Sequence, residues 1–182
     1  MLIERFDIEG LLLIKPRVFE DNRGYFFESF NKQEFSRLTA LDLDFVQDNE
    51  SMSDAGVLRG LHSQAPPHQQ GKLVRVVQGK VLDVAVDIRK NSPTYGQYQS
   101  VILSGENKNQ FYIPPGFAHG FVVLENKTLF CYKCTGYYNK ESEMSIRWND
   151  EDINIDWGIK NPILSEKDEK NSVSLISFNS PF

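Results

Sequence analysis

Apolar and polar positions alternate along short stretches of the chain, and turn residues separate the stretches. The clearest case spans residues 72–88. Segments 72–77 and 80–88 flank Gln78-Gly79, a two-residue hairpin signal. In the second segment Leu82, Val84, Val86 and Ile88 share one face, and Asp83, Ala85 and Asp87 share the other. A turn at Gln78-Gly79 sets Val74 opposite Asp83 and Lys72 opposite Ala85, so Lys72, Asp83 and Asp87 lie on a common face. Burying that face costs free energy unless the charges pair. Two readings follow: a solvated face, or a polar cavity inside a barrel.

Further strands are predicted at 11–19, 25–30, 98–103, 110–113, 120–124 and 128–135, and segment 58–64 also has strand character. Ser92-Pro93, Ser104-Gly105 and Pro114-Pro115-Gly116 punctuate them. Residues 31–38 suit a short helix with Phe35 and Leu38 inward. The charged run 165–170 suits helical turns that cap the barrel. Short strands with such punctuation predict an all-β sandwich or barrel. No linker, repeat or low-complexity run divides the 182 residues, so one domain over 1–182 is expected.

Composition adds limits. Thirteen Phe and seven Tyr favour strands and stacking surfaces. A net charge of -5 argues against a nucleic-acid partner, which needs clustered Lys and Arg. The start, Met1-Leu2-Ile3-Glu4-Arg5, does not resemble a signal peptide, and no apolar run is long enough to span a bilayer. A cytoplasmic protein without a membrane partner is therefore expected.

Chemistry must come from few residues. The three histidines are His62, His68 and His119. His62 lies in Leu58-Arg59-Gly60-Leu61-His62-Ser63-Gln64, where a glycine inside a strand signals a bulge or close backbone approach. It is either a general base at a pocket wall or a structural histidine. His68, after Pro66-Pro67, reads as a surface loop residue, and His119, among apolar neighbours, as a core or pocket-lining one. No His-x-His pair is present, since His62-Ser63-Gln64 stands in its place, so no metal site is expected. Cys131 and Cys134 are three apart in a strand and face opposite ways, which reads as two buried structural cysteines. Without a glycine-rich phosphate or dinucleotide motif, no cofactor is expected. Tyr132 shares a face with Phe130 and Cys134; a tyrosine in such a place either packs or donates a proton. Arg23, ahead of an aromatic run, reads as a surface turn or an anion clamp.

Taken together, segments 21–30, 47–53, 58–64, 66–87, 92–96, 113–121, 132–138, 148–157 and 164–168 resemble the dTDP-4-dehydrorhamnose 3,5-epimerases of the cupin superfamily. The Leu58-to-His62 run followed by Gln70-Gly71-Lys72-Leu73-Val74-Arg75-Val76 is the most specific part. The resemblance implies a double-stranded β-helix, a jelly-roll-like barrel with short peripheral helices. It implies inversion of C3 and C5 of dTDP-4-keto-6-deoxyglucose, giving dTDP-4-keto-L-rhamnose. The C4 ketone acidifies both positions, so a base, a group facing the enolate oxygen and an acid across the ring are needed.

By resemblance, His62 is the base, Asp168 orients it, Lys72 faces the oxyanion with Asp83 as its partner, and Tyr132 is the acid. Tyr138 is a second pocket tyrosine, and His119 lines the sugar pocket. Arg59 and Arg23 match diphosphate contacts. Gln47, Asn49 and Glu28 match positions around thymine, with Phe26 stacking beside them. The segment carrying Arg23, Phe26 and Glu28 crosses between subunits in the family, which implies a homodimer with shared active sites. Gly158 departs from the proline common after the residue matching Trp157 and touches no expected chemistry. The rival readings are inversion at C3 or C5 alone, a non-catalytic sugar-nucleotide binder and a metal-dependent oxygenase.

Overall fold

The computed structural model describes residues 1–182. The early strands are β1 (Leu2–Arg5), β2 (Leu12–Lys15), β3 (Phe19–Asp21) and β4 (Gly24–Phe26), followed by helix α1 (Lys32–Thr39). Next come β5 (Gln47–Ser53), β6 (Leu58–Gln64), β7 (Lys72–Gln78), β8 (Lys80–Asp87) and β9 (Tyr98–Ser104). Then follow β10 (Gln110–Ile113), β11 (Phe117–Val123), β12 (Thr128–Cys134), β13 (Glu143–Ser145) and helix α2 (Glu166–Lys170). Strand pairing yields a six-stranded sheet in the order β1-β2-β10-β7-β12-β5 and a five-stranded sheet in the order β13-β6-β11-β8-β9. Strands β3 and β4 form a ribbon of their own.

The two large sheets close on each other as the expected double-stranded β-helix. Val74, Val76, Phe111 and Phe130 from the first meet Val81, Ala85, Phe117 and Phe121 from the second in one buried cluster. The outer face of the second sheet is not solvated. Val84, Val86 and Ile88 pack there with Leu58, Leu61, Ile153 and Trp157, so the C-terminal chain covers it. Helix α1 covers the first sheet, where Phe35 meets Leu12, Ile14, Leu73 and Tyr112. Asn31 caps α1 by accepting from the Glu34 N–H at 3.1 Å. Thr39, rather than Leu38, is the second buried residue of that helix. No helix is long and apolar enough to cross a membrane.

The hairpin expected at Gln78-Gly79 is not formed. Strand β7 lies between β10 and β12, and β8 lies between β11 and β9, so the two belong to different sheets. Val74 is in register with Phe111 and Tyr132, and Asp83 with Phe121 and Val101. Gly79 is instead a corner between sheets, at φ +81, and a Cβ there would sit 2.2 Å from Thr128 Oγ1. A hairpin and a corner share the same local signal, two alternating runs with glycine between them. Only long-range pairing separates them. The face carrying Asp83 is nevertheless the barrel interior, and Asp83 is fully buried.

Other boundaries also differ. The run expected at 11–19 breaks into β2 and β3 around Pro16, which has no N–H to donate to a ladder. Strand β5 is polar, Gln-Asp-Asn-Glu-Ser-Met-Ser, and lies at a sheet edge where little apolar surface is required.

Asp87 ends β8 and gathers the loop after it. It accepts from the Arg89 guanidinium (2.7 Å), the Ser92 hydroxyl (2.6 Å) and the Thr94 hydroxyl (2.6 Å). Burial alone raises this carboxyl, but these bonds outweigh it and hold the pKa at about 2. A depressed carboxyl contributes stability above its unfolded value, and that contribution is lost as pH falls through the folded one. Asp87→Asn is therefore expected to lower stability by about 2 kcal/mol at pH 7. The difference from the parent should shrink as pH falls from about 4 towards 2, as checked by urea unfolding across that range.

Candidate active site

Strand β6 carries His62. Two residues earlier Gly60, at φ +134, lies so close to β11 that a Cβ would stand 2.4 Å from Gly120 Cα. The β6–β11 register shifts at this point, between His119 and Phe121. This is the close approach that glycine in the segment predicted. His62 Nε2 stands 2.5 Å from Asp168 Oδ1, and Asp168 comes from α2, 106 positions further along. Asp168 Oδ2 accepts from the Ser165 hydroxyl at 2.7 Å, and that hydroxyl accepts the Asp168 N–H in turn. Burial raises the Asp168 carboxyl, yet its bonds with His62 and Ser165 prevail and hold it below the usual carboxylate range.

His62 opens onto a cavity of about 320 Å³. Strand β5 contributes Gln47 and Asn49, β7 contributes Lys72, and β12 contributes Tyr132 and Cys134. Tyr138 and Glu143 close the rim. Burial lowers the Lys72 amine below the ordinary lysine range, against the pull of Cys134, Asp83 and Glu143. Burial raises the Tyr132 hydroxyl, with Cys134 adding to the shift and Arg59 opposing it. The phenol therefore stays protonated at neutral pH. Asn49 accepts from Gln47 at 2.9 Å, and Gln47 accepts the Tyr138 N–H at 3.1 Å.

Some expected residues sit elsewhere. Asp83 is not paired with Lys72: His119 Nε2 lies 3.0 Å from both of its oxygens. His119 does not line the cavity either. Its buried ring stacks on Phe130, with centroids 6.3 Å apart. Burial lowers its imidazole, and Asp83 pulls it back up. Arg59 lies exposed on the His62 strand, 3.1 Å from Ser53 Oγ. Arg23, Phe26 and Glu28 stay outside the cavity of their own chain. Arg23 pairs with Asp21 at 2.6 Å, Phe26 is 67% exposed, and Glu28 accepts from Asn31. Cys131 and Cys134 face opposite ways, but only Cys134 is buried, and Cys131 meets Glu50. His68 is an exposed loop residue.

Two site residues carried no signal in the sequence. Glu143 accepts from the Tyr138 hydroxyl at 3.1 Å and pairs with Lys167. Gln64 accepts the Asn139 N–H at 2.7 Å and donates to the His68 carbonyl at 2.6 Å, which fixes the loop behind Tyr138. Neither lies in a pattern that sets it apart from ordinary polar strand residues.

A jelly-roll barrel whose polar cavity presents an imidazole–carboxylate pair, an amine and a protonated phenol has the make-up of a cupin-like isomerase that moves protons. Residues 5–174 match the family model described as dTDP-4-dehydrorhamnose 3,5-epimerase, and the chain belongs to that family. The enzyme of that name from Salmonella typhimurium is 54% identical over 169 residues, 92% of each chain. The crystal structure of the one from Elizabethkingia anophelis superposes with a TM-score of 0.93, at 51% identity and 99% coverage of both chains. The dTDP-6-deoxy-D-glucose-3,5-epimerase of Legionella pneumophila, in complex with dTDP-4-keto-L-rhamnose, is 50% identical with a TM-score of 0.93, covering 98% of this chain and 94% of that one.

Proposed function

We propose that the protein inverts C3 and C5 of dTDP-4-keto-6-deoxyglucose, giving dTDP-4-keto-L-rhamnose. One observation carries this reading: the His62–Asp168 pair opens onto the same cavity as Lys72 and Tyr132. With Nε2–H donated to Asp168, Nδ1 of His62 keeps its lone pair and takes the proton next to the ketone. Charge moves to the C4 oxygen, where Lys72 stabilises it. Tyr132 returns a proton from the opposite face. One proton leaves and one arrives at each carbon, so the balance needs no oxidant, and no cofactor is invoked. Asp83, held by His119, supports the charge of Lys72 from behind.

Arg59 contacts the diphosphate, Gln47 and Asn49 receive the thymine, and Tyr138 is a second tyrosine of the pocket that holds His62 and Lys72. In the same reading the protein is a homodimer, and a second copy supplies Arg23 to the diphosphate and Phe26 and Glu28 to the thymine. The detached β3–β4 ribbon supports this, because it exposes Phe19, Tyr25 and Phe26. So does β5, an open sheet edge beside the cavity. A cytoplasmic location completes the reading and suits the free thiols Cys131 and Cys134.

The test is proton exchange. In deuterium oxide, the chelator-treated protein should place deuterium at C3 and C5 of dTDP-4-keto-6-deoxyglucose. Label at one carbon alone would make it a single-centre epimerase, and none, in a folded protein that binds dTDP, would leave a binder or another substrate. His62→Ala should lower kcat by about 10³-fold with dTDP affinity nearly unchanged. Tyr132→Phe should lose net epimerisation yet still exchange the C3 proton; full activity would remove Tyr132 from the acid role.

A further inference from the structure

The β3–β4 ribbon forms no ladder with either large sheet, so side-chain contacts must set its angle to the barrel. From Tyr25 onward the chain alternates. Phe26 and Glu28 are exposed, whereas Phe27 and Ser29 are half-buried against their own chain. Tyr25 belongs to the inward set, and its ring meets that of Phe27 with centroids 6.1 Å apart. Its hydroxyl accepts from Lys108 Nζ at 2.9 Å, and the same ammonium lies 4.0 Å from the centre of the ring. Further along, the Ser29 carbonyl accepts from Gln110 Nε2 at 2.7 Å, and Gln110 is buried. Lys108 and Gln110 stand together at the entry to β10. One corner of the barrel thus fastens the segment at both ends, and Phe26 and Glu28 lie between the fastenings on the opposite side.

We infer that Lys108 is a positioning residue: it fixes the angle at which the ribbon presents Phe26 and Glu28 to a second copy of the chain. The turn that carries it is built rigidly. The Asn107 side chain accepts the Ser104 N–H at 3.1 Å and the Asn109 N–H at 3.0 Å, and donates to the Ile102 carbonyl at 3.0 Å. Lys108 itself stands at φ 56, in the left-handed region that glycine or asparagine occupies more easily. A long side chain held in such a conformation points to use, because the surroundings over-determine it. The Gln110 bond secures only the base of the segment. Without Lys108 the ribbon could swing about that base, and the binding groups on its outer side would have to be ordered when ligand arrives.

This inference rests on the reading of Phe26 and Glu28 as thymine contacts supplied by a second copy, and the test separates the two. Affinity for dTDP, solution mass, melting temperature and steady-state rates are compared for the full-length parent and its variants. Lys108→Met should weaken dTDP binding by about tenfold and raise KM in step, with kcat, mass and melting temperature nearly unchanged. Lys108→Arg should restore most of the affinity, since a guanidinium can donate to the Tyr25 hydroxyl and stack over its ring. In a Phe26→Ala/Glu28→Ala background Lys108→Met should weaken binding little further, because a positioning residue acts only through the groups it positions. If Lys108→Met is poorly folded, Lys108→Asn tolerates the backbone conformation, removes the same contact and should show the same loss. An undiminished effect in the Phe26→Ala/Glu28→Ala background would overturn the inference and make Lys108 a direct phosphate contact. Dissociation of Lys108→Met into monomers would overturn it by making the lysine an assembly contact. So would a fall in kcat at unchanged KM, or unchanged affinity in both Lys108→Met and Lys108→Asn. A monomeric parent, or unchanged affinity in Phe26→Ala/Glu28→Ala, would instead sink the reading of the shared site, and the inference with it.

Discussion

A charge inside a β-barrel must be held by partners, or it gives up its ionised form. This constraint organises the molecule. The barrel interior is mostly apolar, with Val74, Phe111 and Phe130 at its centre, yet it also holds Asp83, His119 and Lys72. Asp83 has no solvent exposure and takes both its close contacts from one imidazole nitrogen. Lys72 is left with the field of Asp83 but without direct contact. That division has a chemical consequence. An ammonium locked to a carboxylate cannot turn towards charge developing on a ligand. One that only feels a carboxylate nearby remains available for it.

The geometry that permits this depends on two glycines. At Gly79 the chain leaves one sheet for the other, so Lys72 and Asp83 face each other across the interior instead of lying side by side on one ribbon. At Gly60 the backbone of β6 closes onto Gly120, and the register shift there sets His62 opposite His119. The C-terminal chain then packs over the outside of the same sheet through Ile153 and Trp157 and delivers Asp168 to His62. The dyad is thus assembled from a barrel strand and from the cover laid over it. Ser165, Lys167 and Glu143 attach that cover close to His62.

Much of this was legible along the chain, and the failures share a cause. Alternation in residues 80–88 separated the face of Asp83 from that of Val84 and Val86, because period two is a local property, but it left open whether the Asp83 face was solvated or lined a barrel; the structure makes it the interior. Cys131 and Cys134 were separated to opposite faces by the same rule. Pairing is not local. The signal at Gln78-Gly79 could not tell a hairpin from a corner, so the partners of Lys72 and Asp83 were misassigned. The identity of the partner of Asp83, a histidine on β11, had no trace in spacing. Strand β5 was invisible as a strand because an edge needs few apolar residues, although resemblance marked Gln47 and Asn49. Resemblance alone linked His62 to Asp168. It also named Arg23, Phe26 and Glu28, which their own chain keeps away from its cavity.

The same burial acts in opposite directions on the two proton-bearing groups of the cavity. It raises the Tyr132 hydroxyl and lowers the Lys72 amine, since in each case it disfavours the charged form. A phenol pushed up stays protonated and ready to give a proton. An amine pushed down holds its charge less firmly, and so gains more from an anion placed beside it than a solvated lysine would. One physical cause therefore separates donor from cation without a dedicated partner for either. Both shifts depend on keeping water out. The open rim, formed by Gln47 and Asn49 on an edge strand and by a largely exposed Tyr138, is where this isolated chain excludes water least. Further exclusion of water at that rim would deepen the desolvation behind both shifts, whereas an anion beside Lys72 would pull its amine back up.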